Sequence, residues 1–341
     1  MRSSRWRSSG APGRRPPLID MWTSHRREVS VAAAIVALAI VLAVAAPKYF
    51  AAGNLNDLFV ASLPVLLVAL GMTLVIVTGE IDISVGSTFA ICGVLAGLLA
   101  KAGIPVGLAC AAAVLAGAAS GALNGALVAY AGIPSIVVTL ATMVALRDAL
   151  RWATDGAWVQ DLPAAFQWLG LTQAVFPAAA AAVTLAVTAA FAWGLRHLAA
   201  GRAIYATGSN AGAARLAGLD TAAVKWTAFT VLGALTGVAA VLNAVRFNQI
   251  PSNAGLGLEM KVIAAVVVGG ASVAGGAGSV AGTVLGVVLL AAIGPALTFL
   301  GASPYWERAI QGAIILVAIA ADGLRRPASR SSGAALARAR A

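Results

Sequence analysis

Apolar residues run almost unbroken through ten stretches of the chain, at 30–47, 56–78, 83–100, 105–130, 134–152, 173–195, 223–245, 258–274, 278–300 and 307–323. About 20 apolar residues in helical conformation cross the hydrocarbon layer of a bilayer. Continuous runs of Leu, Val and Ala, without apolar–polar alternation, point away from a β-barrel. The pattern predicts an all-α, polytopic membrane protein of about ten transmembrane helices. Composition agrees: 60% of residues are hydrophobic and 10% charged, against about a quarter charged in an ordinary soluble domain.

The remaining charges are concentrated. Arg2, Arg5, Arg7, Arg14, Arg15, Arg26 and Arg27 precede the first run, and arginines recur from Arg325 to Arg340. Arg196, Arg202, Arg215 and Lys225 bracket a long internal loop, 196–222. Basic clusters beside apolar spans mark cytoplasmic segments, and with ten spans all three clusters fall on one side. Both termini are therefore expected in the cytoplasm. The chain divides into a basic disordered tail (1–28), a transmembrane domain (29–323) with the cytoplasmic loop 196–222, and a second basic tail (324–341). The Arg- and Pro-rich start does not read as a cleavable signal; residues 1–20 read as disordered, with Met21 as an alternative start. A net charge of +11 thus reflects topology. Nucleic-acid binding is not expected, since it needs a folded basic face.

On the opposite side lie the short turns 101–104, 246–256 and 301–306 and one longer segment, 153–172, with Trp158, Phe166 and Trp168 among polar residues. Such a segment reads as an amphipathic stretch at the membrane–water interface; a docking surface for an external protein is the sharper alternative. Cys92 and Cys110 fall inside apolar runs and read as small core residues. With no ligand cluster around His25 or His197, no metal site is expected, and no cofactor is implied.

Glycines recur at intervals of four in Gly117-xxx-Gly121-xxx-Gly125 and Gly278-xxx-Gly282-xxx-Gly286. Small residues so spaced let helix backbones approach closely where lipid removes the hydrophobic drive for association. The segments from Gly79 to Leu99 and from Gly270 to Leu290 echo one another, each a glycine-rich turn, Gly-Ser and a small-residue helix. Transporters built from repeats show such echoes, in parallel or inverted arrangement. Gly276-x-Gly278 lacks the strand and the downstream acid of a dinucleotide loop.

Two acids interrupt the apolar pattern in Gly79-Glu80-Ile81-Asp82-Ile83-Ser84-Val85-Gly86-Ser87. A carboxylate at membrane depth costs about 2.5–3.5 kcal/mol on insertion scales, so it faces protein or water, and the glycines suggest an interrupted helix. Glu80 and Asp82 are candidates for polar lining of a pathway or its gate. Asp82 or Ser84 also has a structural reading as the cap of a helix starting near Val85. Asn124, mid-span, is a further candidate, read more simply as a bridge between helices. Glu259 and Lys261 are weaker ones, placed near the outer end of a span.

No G-x-x-x-x-G-K-[ST] occurs, so phosphates are not cradled in the P-loop manner, and no catalytic grouping shares a face. ATP-driven transport would need hydrolysis on another polypeptide; ion-driven transport would use the intramembrane acids. The loop bears on this choice. In Gly201-Arg202-Ala203-Ile204-Tyr205-Ala206-Thr207-Gly208-Ser209-Asn210 and its continuation to Asp220, Asn210 can cap a short Ala-rich helix that Gly218 ends. Such a helix is either an ordinary connector or a lever for a soluble motor.

This loop resembles the coupling segment of permease subunits in sugar-type ATP-binding-cassette importers, the ribose, rhamnose and autoinducer-2 group. The resemblance is carried by Gly201, Arg202, Tyr205, Ala206, Gly208, Asn210, Ala213, Ala214, Arg215, Leu216 and Gly218. Residues 78–87 match a second family block, with Glu80 where the family has glycine and Ile83 where it has leucine. A third block runs from Gly257-Leu258-Glu259-Met260-Lys261 through Gly269-Gly270 to Gly275-Gly276-Ala277-Gly278-Ser279; Pro304-Tyr305-Trp306 and Asp322 match the last span. The resemblance spans about residues 45 to 323. It implies an inner-membrane subunit that is not itself an enzyme and works with a cytoplasmic ATP-binding subunit, a second identical or sister permease and a periplasmic solute-binding protein. The solute would be a monosaccharide or similar molecule of rhamnose, autoinducer-2 or ribose type. Arg202, Tyr205, Asn210, Ala213, Ala214, Arg215 and Gly218 would couple to the ATPase. The competing expectation is an ion-coupled secondary transporter using Glu80 and Asp82; another is a non-transporting scaffold.

Overall fold

The computed structural model describes residues 26–324. The expectations for residues 1–25 and 325–341 lie outside it, and within the 1–28 segment residues 26–28 are already helical. The elements in order are α1 (Arg26–Ala45), a 3-10 turn (Pro47–Phe50), α2 (Ala52–Val77), α3 (Val85–Lys101), α4 (Val106–Ala129), α5 (Ser135–Thr154), a 3-10 turn (Gln167–Gly170), α6 (Phe176–His197), α7 (Ala199–Ser209), α8 (Ala211–Leu216), α9 (Thr221–Ala244), α10 (Leu258–Val268), α11 (Val280–Phe299) and α12 (Trp306–Leu324). No strand occurs among the described residues; Val159 and Ile250 form one isolated antiparallel bridge.

A helix occupies each of the ten apolar runs. Six of them, α1, α2, α4, α6, α9 and α11, are long and apolar enough to cross a membrane. The others fall short for readable reasons. Helix α3 has 17 residues, α5 and α12 each carry three charged side chains, and α10 has only 11 residues. The run at 258–274 is thus corrected: its helix stops at Val268. Gly269 packs its backbone against that of Gly282, and Gly270, Gly275 and Gly276 take positive φ that ends helical geometry.

Packing is tightest around α2 and α9. Leu67, Val68, Leu70, Met72, Val75 and Ile76 of α2 are fully enclosed. Helix α9 packs on α4, α2 and α3, and glycines set its distance from α4. A Cβ on Gly117 would overlap the Gly233 carbonyl oxygen, one on Gly233 the Gly117 oxygen, and one on Gly121 the Phe229 oxygen. Gly282 and Gly286 meet Gly269 and Ala265 in the same way. Both four-residue glycine spacings therefore mark close helix crossings. Outside the core, Leu108, Leu115, Leu123, Val137, Val144 and Leu185 stand exposed, an apolar exterior suited to lipid.

The bundle has two ends. At the loop end lie the 196–222 connector, the 78–84 break and the 269–279 break; Gly276 N–H donates to the Val77 carbonyl at 2.8 Å, and Ser279 Oγ reaches Glu28 Oε1. At the far end, Val159 pairs with Ile250, Lys101 Nζ donates to the Gln160 carbonyl and Gln167 Nε2 to Asn248 Oδ1. Within 153–172, Trp158 is partly exposed, whereas Phe166 is fully buried and Trp168 stacks edge-on against Phe176. The interfacial reading of Phe166 is therefore corrected: the segment folds back onto the core.

Candidate functional site

Two polar assemblies are built at and above the loop end. The first starts from the connector, which is more helical than its sequence suggests. Leu198 is extended and separates α6 from α7, an eleven-residue helix absent from the sequence reading. Asn210 then caps α8, its Oδ1 accepting from Ala213 N–H at 3.0 Å, and Gly218 follows with φ +86°. Tyr205 on α7 donates its hydroxyl to the Gly278 carbonyl at 2.8 Å. Burial pushes the Tyr205 phenol above its ordinary range, with Arg196 opposing, so it remains a donor. Gly208 lies against the Val77 carbonyl oxygen and Gly276 N, and the Gly275 backbone against Gly79 and the Gly208 oxygen. The end of α7 thus locks two helix breaks together, 78–84 and 269–279. Both breaks lie at the same end of the bundle.

Beyond this junction, α8 projects outward. Ala214 is buried beneath it, while Arg202 donates only to the neighbouring His197 carbonyl. Arg215 is exposed, and Leu216 is 93% exposed. A cavity of about 640 Å³ separates α8 from the start of α5 and is bordered by Glu80, Arg215, Gly218 and Lys225. Glu80 and Lys225 close an ion pair across it, both side chains mostly buried. In the sequence Lys225 is only a loop-flanking cation; its partner is 145 residues away. Lys225→Ala, which strands the Glu80 carboxylate, is expected to lower stability by about 1.5–3 kcal/mol, the range for a hydrogen bond to a charged group. Thermal melting in detergent measures it, and the swapped pair Glu80→Lys with Lys225→Glu is expected to recover part of the loss.

The second assembly lies deeper. Residues 80–84 run beside the first turns of α5: Ile81 N–H donates to Ser135 Oγ, and Ser87 Oγ to the Met143 carbonyl. At 1.5 Å per residue, the Ser135-to-Met143 interval places Ser87, in the first turn of α3, about 12 Å farther along α5 than Ile81. Asp82 is 3% exposed. Its Oδ1 accepts from Ser84 N–H at 2.8 Å and Ser84 Oγ at 2.6 Å, and Oδ2 from Asn124 Nδ2 at 3.4 Å. Asn124 also donates to Ser84 Oγ and accepts from Thr142, joining α4 and α5 to the break. The capping expectation is corrected for Ser84, while Asp82 does accept the Ser84 N–H at the head of α3. Ser84 occupies the N-cap position of α3 but makes no side-chain cap bond, because its hydroxyl is turned back to Asp82.

Glu259 differs from its sequence placement. It lies in the core at the first turn of α10, 9% exposed, directly over Gly86. Lys261, by contrast, pairs with Glu307 at 3.1 Å. Arg147 of α5, unremarked in the sequence, reaches the same place and donates its Nε to Ser87 Oγ at 3.3 Å. Only its position, as the first of the three charges that interrupt the apolar run of α5, could have drawn notice to it. The described residues contain no grouping suited to a metal ion.

A family model described as branched-chain amino acid transport system / permease component matches residues 54–319. The Autoinducer 2 import system permease protein LsrC of Escherichia coli (strain K12 / DH10B) is 36% identical over 302 residues, covering 89% of this chain and 88% of that protein. The protein of the same name from Salmonella typhi is 37% identical over 302 residues, covering 89% and 87%. No solved structure matches the chain.

Proposed function

The chain belongs to the family of branched-chain amino acid transport system permease components, and from that premise we propose that it is the membrane permease of an ATP-binding-cassette importer for a monosaccharide or sugar-like solute. The import of autoinducer 2 named for its relatives supports a solute of that kind. The ten apolar runs would form a transmembrane domain over 29–323 in the inner membrane, α3 and α10 completing their crossings through the non-helical segments that precede them, with the loop end and both basic tails cytoplasmic. The positions of the arginines support this orientation. A separate cytoplasmic ATP-binding subunit would drive transport, a second permease would complete the passage, and a periplasmic binding protein would deliver solute.

The observation that carries the coupling role is the exposure of α8. Arg215 and a nearly bare Leu216 stand on a short capped helix whose base is fixed to two helix breaks. An isolated exposed leucine needs no explanation, but one presented on a rigid stalk suits a groove in a partner. Arg202, Tyr205, Asn210, Ala213, Ala214, Arg215 and Gly218 are assigned to this coupling element. Tyr205, Asn210 and Gly218 shape it, and Arg215 contacts the partner. Asp82, Ser84 and Asn124 hold the helix break, and Glu80 ties it to α9 beside the loop. Nothing favours ion coupling: Glu80 is closed on Lys225, and Asp82 is occupied by Ser84 and Asn124.

Affinity purification of the tagged chain from native membranes tests the reading. The wild type is expected to bring down an ATPase. An Arg215→Glu, Leu216→Asp variant is expected to remain folded, since both side chains are exposed, and to lose that ATPase. No ATPase with the wild type would overturn the coupling role.

A further inference from the structure

Helices α3 and α10 both begin inside the bundle, and their first turns meet. A Cβ on Gly86 would overlap Glu259 Oε2, would press on the Gly255 carbonyl and would lie 3.4 Å from Arg147 Nη2. The carboxylate and the guanidinium thus face one another over a bare glycine. They do not complete each other's bonding. Glu259 Oε1 accepts from Gly257 N–H at 3.2 Å, yet Oε2 is buried without a partner, and so is Arg147 Nη1. A buried charged group left short of hydrogen bonds is unfavourable, so such atoms need a reason to persist.

The surroundings supply one. The turn Gly255–Gly257, both glycines at positive φ, roofs Glu259 and divides two cavities open toward the far end, of about 680 and 460 Å³. Gly255 borders both, whereas Glu259 and Arg147 line neither, so a solute reaches the pair only when the glycine turn moves aside. A guanidinium only donates hydrogen bonds and an ionised carboxylate only accepts them. A hydroxyl does both, so adjacent hydroxyls of one solute can bridge the pair. The station is neutral as a whole, and a solute with net charge would leave one buried charge uncompensated.

We propose that Arg147 and Glu259, beneath the Gly255–Gly257 turn, form a solute-contacting station within the passage that selects a small neutral polyhydroxylated molecule. The proposal rests on the importer reading above. Arg147 Nη1 donates to a solute hydroxyl or carbonyl oxygen, and Glu259 Oε2 accepts from a neighbouring hydroxyl. Rejection of analogues lacking that hydroxyl follows, because the unpaired station then remains unpaired.

The test uses the assembled importer in proteoliposomes with its binding protein and ATPase, and radiolabelled ribose, rhamnose, autoinducer 2 and leucine as probes. Glu259→Gln and Arg147→Lys add no volume. Each is expected to lower uptake of the carried sugar-like solute by about tenfold or more and to weaken discrimination against its deoxy analogue. Folding and assembly are checked by co-purification of the ATPase, which engages α8 away from this pair and is expected to match wild type. Either folded variant with wild-type uptake and selectivity would overturn the proposal, as would loss of folding in both variants, which would make the pair structural. Wild-type transport of leucine rather than the sugars would overturn the solute class while leaving the importer intact. ATP-independent behaviour of the wild type would instead defeat the importer reading itself.

Discussion

Gly233→Val is expected to be the most destabilising single substitution on the α4–α9 interface, lowering stability by about 3 kcal/mol or more, at or beyond the upper end of overpacking costs. Gly117 and Gly233 face each other with nothing between their backbones, and a Cβ on Gly233 would also crowd Gly121 Cα. A flexible neighbouring side chain could turn aside; a carbonyl oxygen in a helix cannot. The two helices must separate, and the separation passes to Leu232, whose backbone in turn packs against Gly71 of α2. Thermal melting in a mild detergent gives the measurement. Gly107→Ala and Gly312→Ala, where open space surrounds the position, are expected to leave the melting temperature nearly unchanged. Alanine at both Gly117 and Gly233 is expected to be non-additive, since each substitution acts through the same contact. Equal effects at Gly233 and Gly107 would show that the crossing is looser than described.

Gly208→Ala is expected to lower transport by about tenfold or more while leaving ATPase binding in place. A Cβ there would overlap the Val77 carbonyl oxygen, which accepts from Gly276 N–H, and would press on Gly276 itself. One methyl group thus drives α7 away from both helix breaks. Helix α8, with Arg215 and Leu216, stays outside the disturbance and still presents its surface. A coupling free energy of about 1–3 kcal/mol corresponds to a 5- to 150-fold effect, so uptake in proteoliposomes is expected to fall by about tenfold or more. Co-purified ATPase should remain, in contrast to the Arg215→Glu, Leu216→Asp variant. If Gly208→Ala transports normally, movement of α8 does not reach the bundle through this junction.

Much of the architecture was readable because it depends on local chemistry. An apolar run must bury its backbone polar groups in a helix wherever lipid surrounds it, so the ten helices follow from hydropathy alone. Asn210 and Gly218 act within a few residues of themselves, and their cap and turn lie where the sequence placed them. The glycine spacings are periodic along one helix face, so close crossings were foreseeable, although not which helices cross. Other features had no local signal. The 258–274 run looks continuous in hydropathy, and its helix ends early where the Gly282 backbone presses on Gly269 and Gly270 turns to positive φ. Ser84 is a good cap by type, yet its hydroxyl goes to Asp82 two residues away, and only packing adds Asn124 of α4 to that pair. The charges depended most on packing. Glu80 finds Lys225 and Arg147 approaches Glu259 only when distant helices are brought side by side, because a charge in an apolar interior is defined by what surrounds it.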